Sequence, residues 1–425
     1  MRPTKDIPFY KIFFKIVKRY FYPSLFSDIN DILSDPRDTS KIKFSLNYIF
    51  WVGIFVFVFK LEARRRINFM FNNKKFISNL SNILSCCINE MAHSDTVNKL
   101  VINLKHTELS EIRYRTVYYL IRSKVLDKFR FYKSFVLVID GTGYVSFKYP
   151  HCKRCIKVEL NNGSYEYRHN IVEAKFVLPN GLALSVDSEL VENRKDKRSE
   201  IKCAEGIIKR IKRRFKNLNI ILVLDGLYES ENIIKLCEKY GWKYIITLKE
   251  ERFKQIYQEY QSLKRYYFKK ENITDNGRIY YQGDIEWRGE KLGVVEYNDK
   301  KQNKHFLWVT NIVLNRYTAI VISNIGRLRW KIENEGFNVE KNLGYNLTHP
   351  YSKTLRGLKN WFIILQIAHN ICQVVEKSNL FKRFKINYFW SNYDFWCKLY
   401  IEFRIYQINL QKIEKWKVNI GIDTS

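Results

Sequence analysis

The sequence predicts an α/β fold: a mixed sheet with a helical domain before it, a β-rich insertion within it and a helical region after it. Three observations carry this. Two continuous apolar runs, Ser134-Phe-Val-Leu-Val-Ile-Asp140 and Asn219-Ile-Ile-Leu-Val-Leu-Asp225, each end in Asp-Gly. Hairpin and helical patterns alternate around them, as expected of buried parallel strands covered on both faces. From about residue 264 the apolar runs become short, polar and aromatic, which marks an insertion.

In chain order, residues 1–130 read as a helical domain. Apolar residues recur at helical spacing over 76–88, 95–104 and 108–125. Ser94 or Asp95 suits an N-cap, and Thr107-Glu-Leu-Ser-Glu111 offers a second helix start. Both a DNA-reading helix-turn-helix and a packed bundle fit this pattern. The run 48–59 is continuously apolar but only 12 residues long, and Lys41, Lys43 and Lys60 bound it. A membrane span needs about 20, so this run is expected to be a buried core helix, with no membrane partner.

Residues 131–263 hold the first part of the sheet. A strand at 134–140 is followed by strands at 165–178 and 182–191 around the turn Pro179-Asn180-Gly181. Then come a basic helix over 197–215, a strand at 219–225, a helix over 229–240 closed by Gly241, and a strand at 242–248. The insertion, 264–312, carries four runs that read as antiparallel strands. These are Arg265-Tyr-Tyr-Phe268, Arg278-Ile-Tyr-Tyr-Gln282, Leu292-Gly-Val-Val-Glu-Tyr297 and His305-Phe-Leu-Trp-Val-Thr310. Residues 313–376 return to helix and complete the sheet domain, and 377–425 form a basic, aromatic C-terminal region.

Lys and Arg number 74 against 43 Asp and Glu, a formal net charge of +31 spread along the whole chain. A field this positive favours a polyanionic partner. Aromatic residues make up 16% of the chain, enough for both a core and stacking platforms for bases. The eight cysteines sit mostly in apolar contexts, and no secretory pattern is visible at the N-terminus. The expected setting is therefore a reducing cytoplasm, and a DNA partner of the kind the charge favours would place the chain on the nucleoid.

Asp140 and Asp225 stand at strand ends, and Glu333 lies on a later helix in Arg329-Trp-Lys-Ile-Glu333. Three convergent carboxylates make a hard-oxygen site suited to Mg²⁺ or Mn²⁺. An Asp-Gly after one strand is also an ordinary turn; the combination of all three is more specific. In this combination the sequence resembles the DDE transposases of bacterial insertion sequences over roughly residues 90–375. That resemblance implies a ribonuclease H-like catalytic domain, and the branch it points to carries Tyr-x2-Arg-x3-Glu-x6-Lys and a β insertion before its Glu. Asp140, Asp225 and Glu333 match the catalytic triad, and Arg329 keeps the Arg-x3-Glu spacing. Gly326 stands where the signature Tyr falls, and Glu340 where the Lys falls, with Lys341 one residue later. Glu335 lies two residues from Glu333, and the Arg-x3-Glu spacing selects Glu333.

The resemblance implies two divalent ions held by the triad, and DNA as partner, both the element's inverted repeats and the target. It further implies cutting at the element ends, joining of the 3′-hydroxyl to target DNA, and a homodimer in the active complex. Residues 1–130 would bind the element ends, and Arg329 and Lys341 would grip phosphates. A metal-dependent nuclease or resolvase on the same fold, or a domesticated DNA-binding protein, are the alternatives. His93-Ser-Asp-Thr96 resembles a recurrent N-terminal motif of related transposases, although capping alone explains it.

Of three tryptophans that could stack on a flipped base, Trp308 and Trp330 sit in regular apolar segments and read as core. Trp287 sits in the polar insertion and is the expected DNA contact. His151-Cys152-Lys-Arg-Cys155 supplies half a zinc site, which His169 or Cys203 could complete. No second paired motif is present, so free thiols in a loop are the expected reading. His349 and His369 read as structural.

Overall fold

The apolar run ending in Asp140 opens a longer strand, β1 (Phe135–Phe147), whose first five residues are all buried. The other strands are β2 (Ile156–Glu159), β3 (Tyr165–Val177), β4 (Ala183–Val191), β5 (Ile220–Leu224) and β6 (Lys243–Thr247). They are followed by β7 (Glu271–Thr274), β8 (Gly277–Trp287), β9 (Glu290–Asp299) and β10 (Lys304–Thr310). The computed structural model describes residues 7–22, 25–193, 199–266, 271–274, 277–388 and 391–424. The chain divides into two compact units, one of residues 1–128, 143–169 and 336–425, the other of 129–142 and 170–335.

The second unit is built on the sheet. Its order is β3-β1-β5-β6-β10-β9-β8-β7, with β4 paired to β3. β1, β5 and β6 are parallel, in the register Ile139↔Leu224 and Leu224↔Ile246. The hairpin β3–β4 is antiparallel and turns through Gly181. β4-β3-β1-β5-β6 is the five-strand core of a ribonuclease H-like fold. Helix Glu200–Arg214 buries Cys203, Ala204, Ile207, Ile208 and Ile211 and packs on β4. Residues 197–198 of the expected helix lie outside the described residues.

The insertion differs from its sequence reading. It extends the same sheet, because β10 pairs antiparallel with β6 at Trp308↔Thr247 and β9 and β8 follow. Of the expected strand 265–268, residues 265–266 belong to helix Lys254–Tyr266, and 267–268 lie outside the described residues.

The first unit is helical. Helix Leu46–Val58 is the apolar run, with every residue but Asn47 buried. It packs on helix Leu355–Glu376, which also receives Ser94–Asn103 and His106–Arg122. The last of these buries Leu109, Ile112, Arg113, Thr116, Val117 and Leu120. This is packed-bundle geometry. Helix Phe9–Phe21 packs on Asn392–Ile405, so the first and last segments share one core rather than standing as separate domains. Among the described residues no helix is long and apolar enough to cross a membrane.

One join in this unit is pH-sensitive. Helix Phe9–Phe21 starts after Pro8 without a side-chain cap, and the Tyr10 backbone N–H donates to Glu402 Oε2 at 2.8 Å. Burial pushes the Glu402 carboxyl up to about 7, against the pull of the Tyr10 and Phe9 N–H donors. A carboxyl raised on folding stabilises fully below its unfolded pKa, about 4.5, and that stability is lost as pH rises through about 7. Glu402→Gln, a stand-in for the protonated form, is expected to be more stable than wild type at about pH 8.5 by on the order of 1–3 kcal/mol, and level with it near pH 5. Thermal melts of both proteins across that range check it. A constant difference at every pH would contradict it.

Candidate active site

Ile139 pairs with Leu224 across parallel β1 and β5, so Asp140 and Asp225 follow at the same end of adjacent strands. Asp140 Oδ1 accepts from the Gly141 N–H at 2.9 Å. Gly141 is required by a close approach: a Cβ there would lie 2.5 Å from Glu200 Oε2. Glu200 opens helix Glu200–Arg214, behind the Ser199 N-cap, and accepts from the Tyr228 hydroxyl at 3.4 Å. The aspartate pair thus has a further carboxylate beside it, Glu200, that the sequence does not single out.

Two cations face this acidic group. Arg329 Nη1 lies 2.9 Å from Asp140 Oδ2, and its Nη2 lies 3.9 Å from Asp225 Oδ1. Lys249, just past the end of β6, donates to Asp225 Oδ2 at 2.9 Å. Glu333 is exposed in a π-helical turn, Ile332–Phe337, that follows Arg329–Lys331.

The titration of these groups follows from this layout. Burial raises the Asp140 carboxyl against the opposing pull of Arg329, and the charges of Asp225 and Glu333 raise it further. Burial also acts to raise Asp225, but Lys249 and Arg329 outweigh it and hold that carboxyl below its ordinary value. Burial raises Glu200 too, with the Tyr228 hydroxyl opposing and the Asp140 charge adding. The triad oxygens are not drawn to one point. Among the described residues only His151, Cys152, Cys155 and His169 bring three or more ligand atoms within 4.8 Å of one another.

A cleft of about 460 Å³ opens beside Asp225, lined by Lys249, His305, Phe306, Arg329 and Trp330 among others. Trp330 is half-buried, meets Phe306 edge-on at 5.1 Å and carries Lys304 Nζ 4.7 Å from its ring. Trp287 is 4% exposed and packs on Phe253 at 5.6 Å, so the structure places it in the core and not on a DNA-facing surface. Trp308 is buried as expected and lies over Gly326, where an added Cβ would be 2.4 Å from its ring. The Trp308 ring takes the space beside the position where the resembling family carries its signature Tyr.

In the first unit, Lys341 is half-buried in helix Asn338–Asn342. Its neighbour Glu340 is fully buried, accepting from Gln366 Nε2 at 2.9 Å and lying 2.7 Å from His369 Nδ1. His369 is thus structural, and His349 packs edge-on against Tyr351 at 5.1 Å. His151, Cys152 and Cys155 are joined by His169, whereas Cys203 is buried in the other unit.

The central parallel strands of this sheet thus end in acidic side chains faced by an arginine and a lysine. Residues 169–371 match the transposase DDE domain. The matched span includes Asp225, Arg329 and Glu333 and begins after Asp140. Among solved structures, the piggyBac transposase in its synaptic complex with hairpin DNA is similar over 95% of this chain and 82% of that one, at 11% identity and a TM-score of 0.43. No curated protein matches the chain.

Proposed function

We propose that this transposase cuts DNA at the ends of its own insertion element and joins the freed 3′-hydroxyl to target DNA. The observation that carries this reading is the placement of Asp140 and Asp225 on adjacent parallel strand ends, bridged by Arg329 and facing Glu333. Burial, and then the charges of neighbouring acids, raise Asp140, while Arg329 and Lys249 pair with the aspartates, and such an acidic cluster suits divalent cations. Asp140, Asp225 and Glu333 would hold two Mg²⁺ or Mn²⁺ ions. Such ions activate the attacking water or hydroxyl and stabilise the leaving oxygen. Arg329 neutralises the aspartate pair before DNA arrives and turns to a phosphate oxygen when it does. Glu200, bonded to the Tyr228 hydroxyl, lies against Gly141 beside Asp140 and adds negative charge to the site.

Lys341 grips a second phosphate. A π turn holds one residue more than an α turn, and one residue is the amount by which Lys341 departs from the family spacing. A net charge of +31 supplies the general attraction to DNA, and the helical 1–130 region selects the element ends. Two chains act together, one at each end, on the nucleoid. The test uses DNA carrying the sequences that flank the gene, incubated with the protein and Mg²⁺. End-specific cleavage followed by joining is expected. Cleavage without end selection or joining would make the protein a nuclease, and binding without cleavage a DNA-binding protein.

Trp330, not Trp287, stacks on a base beside the cut. Stacking is worth roughly 1–3 kcal/mol, so Trp330→Ala is expected to slow end processing about 5- to 150-fold without lowering the melting temperature. Trp287→Ala, which empties a core position, is expected to cost about 3–5 kcal/mol of stability. A melt and an end-processing time course on both variants check this. The reverse pattern would return the stacking role to Trp287.

A further inference from the structure

We infer that His151, Cys152, Cys155 and His169 form a structural zinc site. Their four ligand atoms lie within 4.8 Å of one another. The sulfurs of Cys152 and Cys155 are 3.6 Å apart, and His169 Nε2 is 3.5 Å from the first and 3.4 Å from the second. Tetrahedral zinc, with Zn–S of about 2.3 Å and Zn–N of about 2.0 Å, places sulfurs about 3.8 Å apart and sulfur and nitrogen about 3.5 Å apart. Three of the six edges of a zinc tetrahedron are therefore already set, and His151 lies within reach of the fourth corner.

The chain builds this site from ordinary parts. The antiparallel register Ile156↔Arg168 sets Cys155 opposite His169 on the hairpin of β2 and β3. Around the Cys-x2-Cys turn, the Cys152 N–H points at Cys155 Sγ at 3.3 Å and the Arg154 N–H at Cys152 Sγ at 3.4 Å. Backbone donors on both sulfurs stabilise thiolates. The His151 ring stacks on Phe147 at 4.1 Å, which fixes its plane. Cys155 and His169 are buried.

Charge balance favours zinc at a buried place. Binding releases one proton from each thiol, and two thiolates with two neutral imidazoles then cancel the Zn²⁺ charge. All four ligands are nitrogen or sulfur, so no coordination position is left for water and the role is structural. The ion would staple the turn after β1, the strand that carries Asp140, onto β3. It is separate from the carboxylates, which select hard cations.

The test measures metal in the full-length protein purified without added metal. One zinc per chain is expected, released when a mercurial blocks the thiols. Asp140→Asn/Asp225→Asn and Cys203→Ser should keep that zinc, whereas Cys152→Ser/Cys155→Ser should lose it. Stripping zinc should lower the melting temperature by on the order of 10 °C. Should the double-cysteine variant fail to fold, Co²⁺ exchanged into the wild type should give the visible bands of tetrahedral thiolate cobalt. A metal-free wild type that takes up no cobalt, a Cys152–Cys155 disulfide in its place, or zinc that leaves with the aspartates would each overturn the assignment.

Discussion

Asp140→Asn, Asp225→Asn and Glu333→Gln are each expected to lower DNA cleavage by roughly a thousandfold or more while leaving DNA affinity nearly unchanged. The separation follows from where the charges lie. On the proposed reading the carboxylates would hold the ions that stabilise the transition state, whereas lysines and arginines across the chain, 74 in all, would supply the attraction to phosphate. Glu335→Gln is expected to cleave like wild type, because the Arg-x3-Glu spacing selects Glu333 and its charge is among those that raise Asp140. Single-turnover cleavage and a gel-shift titration on the same preparations measure the two quantities. Normal cleavage by Glu333→Gln with loss in Glu335→Gln would reassign the third carboxylate.

The second large effect is the salt dependence of binding. If the chain neutralises 6–10 phosphates, a count taken as an order-of-magnitude estimate, affinity falls by about 10³–10⁵ between roughly 50 and 200 mM salt. Element-end DNA and random DNA should share this fall, since it arises from counterion release rather than base reading. Removing residues 1–130 is not a clean way to find the end-selecting surface, because helix Leu46–Val58 packs on helix Leu355–Glu376. Exposed cations such as Arg65 and Lys74 can be replaced without opening that core. Each one that touches a phosphate should reduce the salt slope by about one when changed to Ala. A nearly flat salt dependence would contradict the polyanion reading.

The positions of Asp140 and Asp225 were legible because a buried parallel strand leaves an uninterrupted apolar run with a clear end. Glu333 is singled out in the sequence only by its spacing from Arg329. Lys249 follows the same logic, since it lies just past β6, and strand-end reasoning could have found it. Glu200 could not be found that way. It faces Gly141 only because of how its helix meets β1, a tertiary arrangement with no local signal.

The insertion was misread for a periodic reason. Along β8, Ile279, Ile285 and Trp287 are buried while Arg278, Asp284 and Glu286 are exposed, with a register shift between Gln282 and Ile285. The outward residues give the window its polar look and hide a core face that includes Trp287. The Cys-x2-Cys run leaves its partner open in the sequence between His169 and Cys203, and the fold selects His169. His169 is 14 residues from Cys155, and only the β2–β3 register brings it back opposite.

The central claim is that Asp140, Asp225 and Glu333 hold the ions that act on the scissile phosphate. Its most direct test replaces a non-bridging oxygen of that phosphate by sulfur in element-end DNA and compares Mg²⁺ with the more thiophilic Mn²⁺. Strong loss of cleavage in Mg²⁺ that Mn²⁺ restores, with neither ion supporting Asp140→Asn, is the predicted result. Equal cleavage of sulfur and oxygen substrates in Mg²⁺, or cleavage that persists in a chelator, would contradict the account.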